Sequence, residues 1–89
     1  MSGYEIVSVV QKFSIISDPP GNLGIGSATC SGDKVVVSGG FRSPFRQIEV
    51  FVESSYPKSS STWAVTFRNH GTNTAVFEAE IYAVCVHIE

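Results

Sequence analysis

A chain of 89 residues, 43% hydrophobic and only 16% charged, is one small domain, residues 1–89, with a low charge share against a typical value of roughly 25%. Its formal net charge is −2, and Lys12, Lys34, Arg42, Arg46, Lys58 and Arg68 are scattered singly. That pattern excludes the positive stripe that nucleic-acid binding requires, and no apolar run approaches the roughly 20 residues of a membrane span.

The chain shows no helical periodicity. β-branched and aromatic residues alternate with polar ones between closely spaced turn signals. Residues 4–10 read as a strand that continues, or restarts, at 13–17. The segment Asp18-Pro19-Pro20-Gly21-Asn22 is the clearest loop, because prolines deny ladder hydrogen bonds. A strand over 25–31 carries Cys30, Ser31-Gly32-Asp33 turns the chain, and 34–38 runs back. Gly39 and Gly40 then interrupt an apolar segment, which points to a bulge or a close approach of another backbone. Residues 46–53 alternate, with Ile48, Val50 and Val52 on one side, and 54–61 read as a polar loop around Pro57. In 62–69, Trp63, Val65 and Phe67 are expected inward and Ala64, Thr66 and Arg68 outward. His70-Gly71-Thr72-Asn73 reads as a hairpin turn leading into the last and longest strand, 74–88. The expected fold is an all-β antiparallel sandwich or flattened barrel of seven to eight strands. An immunoglobulin assignment fails, since Trp63 follows Cys30 too distantly and Tyr82 stands three residues before Cys85 rather than two.

Cys30 and Cys85 are the two cysteines, and a widely spaced pair in a small domain reads as one disulfide. Two buried thiols are the bland alternative, and a Cys2His2 metal set with His70 and His87 the sharper one. The close ligand pairs of such metal sites are missing. No cofactor and no metal are expected. No catalytic constellation stands out either. His70 lies in a turn, His87 at a strand end, and Glu78 and Glu80 read as solvated carboxylates on one face. The Gly21–Gly26 run lacks the following helix that a phosphate loop needs. The chain is expected to be no enzyme.

The last strand carries the most suggestive pattern. Phe77, Ala79, Ile81, Ala83 and Cys85 alternate onto one face, while the opposite face begins with Glu78 and Glu80 and turns apolar at Tyr82, Val84 and Val86. A strand apolar on both faces is either central to the domain or covered by a partner. Tyr82, Val84 and Val86 are therefore the candidate oligomer interface, with cover by residues 4–10 of the same chain as the competing arrangement. Phe41, Phe45 and Tyr56, on turn-rich segments, are candidate ligand contacts. The opening residues lack the basic-then-apolar order of a secretory leader, so the domain is expected to be cut from a longer secreted protein or carried in an assembled particle.

The order of signals resembles a small domain of bacteriophage tail-fibre-like and bacterial collagen-like surface proteins. In this chain it reads Cys30-Ser31-Gly32-Asp33-Lys34-Val35-Val36-Val37-Ser38-Gly39-Gly40-Phe41, then Ser54-Ser55-Tyr56-Pro57, Trp63-Ala64-Val65, Asn69 and Tyr82-Ala83-Val84-Cys85. Gly3-Tyr4-Glu5-Ile6-Val7 looks like that family's start. Ser31 stands for the family's proline, Ser38 for the first of three glycines, and Val86-His87 for its Cys-Ala ending. The resemblance implies a paired Cys30 and Cys85, structural roles for Gly39 and Gly40, and no catalytic residue. It further implies a structural or adhesive module of a virion or extracellular surface. Such a module would be a homo-oligomer, a trimer, partnered by itself and by other virion or surface proteins, not by nucleic acid or membrane.

Overall fold

Alternation becomes six strands in the computed structural model, which describes residues 2–43 and 49–87. They are β1 (Ser2–Ile15), β2 (Leu23–Thr29), β3 (Val35–Arg42), β4 (Val50–Pro57), β5 (Thr62–Asn69) and β6 (Ala75–His87). Two three-stranded antiparallel sheets result, ordered β1-β6-β3 and β2-β5-β4. Among the described residues the molecule is thus an all-β two-layer sandwich of six strands rather than seven or eight, and its sheets do not close into a barrel.

The differences from the sequence reading have local causes. Residues 4–10 and the segment from Phe13 onward are one uninterrupted strand, and at 14 residues β1, not β6, is the longest. Ser31-Gly32-Asp33 does turn the chain, with Gly32 at φ +63°, a left-handed conformation that glycine adopts without a Cβ penalty. Yet β3 does not pair back onto β2; it crosses to the other sheet and pairs with β6. The turn at residues 70–73 likewise passes between sheets instead of closing a hairpin, because β5 and β6 lie in different layers. Residues 54–57, expected in a polar loop, belong to β4. That strand forms the edge of its sheet, so hydroxyls at Ser54 and Ser55 meet little desolvation cost there. The beginning of the expected 46–53 strand, with Ile48, lies outside the described residues.

The inward rows of both sheets form the core. Phe13 stacks on Phe77 at 5.1 Å between ring centroids and meets Phe67 edge-on at 5.1 Å; Phe41 reaches Phe67 edge-on at 5.4 Å. Ile81 and Val65 are fully buried between this ring cluster and the far end of the sandwich. Burying a side chain of that size stabilises the fold by about 1.5–3 kcal/mol. The glycines of the Gly21–Gly26 run act in packing: Gly24 and Gly26 sit where a Cβ would collide with Ile15 and Ile81. Ala64 and Thr66, expected outward on β5, are also buried, since β5 is the central strand and flanking side chains close over small residues.

Cys30, just past β2, is bonded to Cys85 of β6, with Cα atoms 5.8 Å apart. The bridge ties the two layers together. It also consumes both thiols, which removes the Cys2His2 alternative.

At the other end of the sandwich a buried Asn69 acts as a polar rivet. Its Nδ2 donates to the carbonyls of Ile15 and Asn73, both at 2.9 Å, and its Oδ1 accepts from the Gly71 N–H at 2.9 Å. The Asn22 side chain in turn donates to the Asn69 carbonyl at 3.0 Å. One side chain so fixes the end of β1 and the crossing from β5 to β6. Asn69→Ala would strand buried carbonyls without donors, and the expected loss is about 2 kcal/mol. A lowered urea midpoint with an unchanged slope would show it; an unmoved midpoint would contradict the role.

Candidate self-association face

The outer surface of the β1-β6-β3 sheet is assembled by register. On β1 the outward row is Tyr4, Ile6, Ser8, Val10 and Lys12; their partners on β6 are Val86, Val84, Tyr82, Glu80 and Glu78. Across β6, the same residues meet Val35, Ser38, Gly40 and Arg42 of β3. Among the described residues, no further layer covers this face. Tyr4 is 69% exposed, Ile6 60% and Val10 65%. Val37, at the register shift between Val36 and Ser38, is exposed as well.

Of the expected interface residues, Tyr82 and Val84 are half-buried in the middle of this face. Val86 is different. Flanked in register by Tyr4 and Val35, it is only 7% exposed and has little surface left to offer. The competing idea that residues 4–10 cover the row is also resolved: β1 lies beside β6 in the sheet, not over it. Residues 4–10 were legible as a strand, but a strand's sequence does not say whether it lies beside its neighbour or on top of it.

Polar groups interrupt the face at mid-length. Arg42 donates to Glu80 at 2.7 Å, and Lys12 stands opposite Glu78. Two open depressions flank this ion pair. One, of about 490 Å³, is lined by Val10, Arg42, Glu78, Ala79 and Glu80. The other, of about 450 Å³, is lined by Ile6, Ser8, Phe41, Arg42, Glu80 and Tyr82. At the disulfide end, Glu5 accepts a hydrogen bond from the Ser31 hydroxyl and pairs with Lys34 at 3.2 Å. The Ser31 hydrogen bond, and then Lys34, hold its carboxyl below the ordinary range.

The candidate ligand residues are dispersed. Phe41 meets Phe67 edge-on yet stays 39% exposed. Tyr56 is exposed on β4, opposite Ala64 on the outer face of the other sheet. Phe45 lies outside the described residues. His70 packs its ring 5.3 Å from Phe51, and His87 approaches Asp33 at 3.3 Å. The structure therefore gathers the apolar face and leaves the rings apart. Comparison with known proteins adds no relative: no family model, curated protein or solved structure matches the chain.

Proposed function

We propose that the protein is a non-enzymatic structural module that associates with copies of itself through the outer face of the β1-β6-β3 sheet. The observation that supports this reading is the uncovered apolar row of Tyr4, Ile6, Val10, Tyr82 and Val84 on the larger sheet. Contiguous exposed apolar surface is unfavourable in water at roughly 25 cal/mol per Å², and burial against a copy removes that cost. The disulfide and the low charge fit a module of a virion or extracellular surface assembly, where thiols stay oxidised. The family resemblance implies three copies; the face itself requires only that a copy cover it.

Val84→Lys tests the reading. Burying an unpaired ammonium at the centre of the face is expected to weaken association by roughly two orders of magnitude, on the order of 3 kcal/mol. Sedimentation would show the variant as a smaller assembly than the wild type, with the β-sheet spectrum and the disulfide retained. A variant of unchanged assembly size would place the interface elsewhere. The second reading, an adhesive module for a surface glycan or protein, draws on Tyr56 and Phe51, both exposed on β4. A monomeric wild type that binds a glycan array through those rings would favour it.

A further inference from the structure

We propose that β1 pairs edge to edge with β1 of a second copy, in the antiparallel register that sets Ser8 against its own counterpart. This rests on the self-association reading above and names the first contact it uses.

Each sheet has two edges, and three of the four carry interruptions. β4 has a register shift between Val52 and Ser54 and ends in Pro57. β3 has a shift between Val36 and Ser38, and its Val36 N–H is already spent on the Ser60 carbonyl at 2.8 Å. The Ile25 carbonyl of β2 is taken by the Gln11 side chain at 3.2 Å. On β1 the register shift lies at the very start of the strand, between Ser2 and Tyr4, and leaves the rest of the edge clear. From Tyr4 to Ile15 its pairing with β6 is continuous, it contains no proline, and its far edge has no ladder partner among the described residues. A long, regular edge of this kind is a template for another strand.

Side-chain exposure points the same way. Ile6 and Val10 are exposed on the outer face, whereas Val9, opposite Ile81, belongs to the inward row and is still 41% exposed. A partner lying on the outer face would leave Val9 wet. A strand added at the edge shelters both rows.

The register follows from symmetry. An isologous antiparallel pair in one continuous sheet has its two-fold axis normal to the sheet, so opposed residues share a face. With Ser8 on the axis, Ile6 meets Val10, Val7 meets Val9, and Tyr4 meets Lys12, an aromatic ring under an ammonium. Sliding by one pleat period spoils this. With Val7 on the axis Ile6 meets Ser8, and with Val9 on the axis Ile6 meets Lys12. The complementarity lies between β1 and itself, which is why the occupant is a second copy and not an unrelated strand. The product is a six-stranded sheet whose joined outer faces double the apolar surface available for burial.

The test uses Ser8→Cys in the full chain, oxidised with glutathione disulfide, beside Ser14→Cys on the same face of the same strand. Opposed residues on a two-fold lie within disulfide reach. Ser8→Cys is expected to form a covalent dimer roughly tenfold faster or more than Ser14→Cys, because pairing raises the local thiol concentration only at the axis. Peptide mapping would verify that Cys30 remains bonded to Cys85, and the wild-type mass would be that of an even number of chains. Equal cross-linking rates, or a trimeric wild type, would overturn the edge pair and leave self-association standing. A wild type that stays monomeric at the highest concentrations would remove self-association itself.

Discussion

Gly39→Val is expected to lower stability by about 3 kcal/mol, and Gly40→Ala, one residue along, by less than about 1 kcal/mol. The two glycines face opposite sides of the same sheet. A Cβ at Gly39 would lie 2.2 Å from Trp63 Cγ and 2.5 Å from its Cδ1 and Cδ2, inside the rigid ring. Trp63 has little room to retreat, since it packs against the core and its Nε1 donates to the Ser55 hydroxyl at 2.9 Å. Valine has the better strand propensity by up to about 1 kcal/mol, so the steric conflict decides the sign. At Gly40 the nearest atom is Tyr82 Oη at 2.7 Å, the far end of a side chain on the open face, which can swing toward solvent. Thermal melts should separate the variants by more than about 10 °C for a domain of this size. Combining Gly39→Ala with Trp63→Leu should recover part of the loss, as a coupling of about 1–3 kcal/mol. Equal melting temperatures for wild type and Gly39→Val would refute the ring contact.

The two glycines also show what the sequence could and could not convey. An interruption at Gly39 and Gly40 was legible, and the approach of another group was expected as backbone. The group that approaches is an indole from the opposite layer, and only the pairing of β3 with β6 brings it there. The alternation of Phe77, Ala79, Ile81, Ala83 and Cys85 was equally legible, because a strand central to its sheet and packed on one side must repeat every second residue. Sheet membership was not. Alternation states which side chains point inward, whereas β2, β3, β4 and β6 join their sheets through crossings that leave no local mark. β4 escaped for a different reason: a register shift between Val52 and Ser54 reverses the side-chain parity, and an edge strand tolerates serine on either face. Asn69 was visible only as the last residue of the 62–69 strand, since its role depends on carbonyls 54 and 4 residues away in sequence. On the candidate face, pattern named Tyr82, Val84 and Val86; what it did not convey is that Val86 is flanked by Tyr4 and Val35 on the neighbouring strands.

Breaking the Cys30–Cys85 bond should destabilise the domain by about 4 kcal/mol. The cross-link closes a loop with a sequence separation of 55 residues that contains β3, β4 and β5 entire. On the chain-entropy view, the freedom denied to the unfolded chain by a loop of that length corresponds to about 4 kcal/mol. A small domain has little in reserve: at roughly 0.05–0.15 kcal/mol per residue, a chain of this size holds about 4–13 kcal/mol in total. The bond also joins β2's end to β6 across the layers, and both sulfurs are buried, so the folded state should shield it from reductant. Reduction is therefore expected to be slow under native conditions and fast in denaturant. Urea titrations of oxidised and reduced protein, at one fixed protomer concentration, should show a lower midpoint for the reduced form. The slope should rise slightly, because an unfolded chain without the cross-link exposes more surface. Cys30→Ala with Cys85→Ala should reproduce that shift and add a small loss from the vacated sulfur volume. An unchanged midpoint, with two free thiols confirmed by mass, would mean that the packing between the sheets holds the fold and that the bridge constrains nothing.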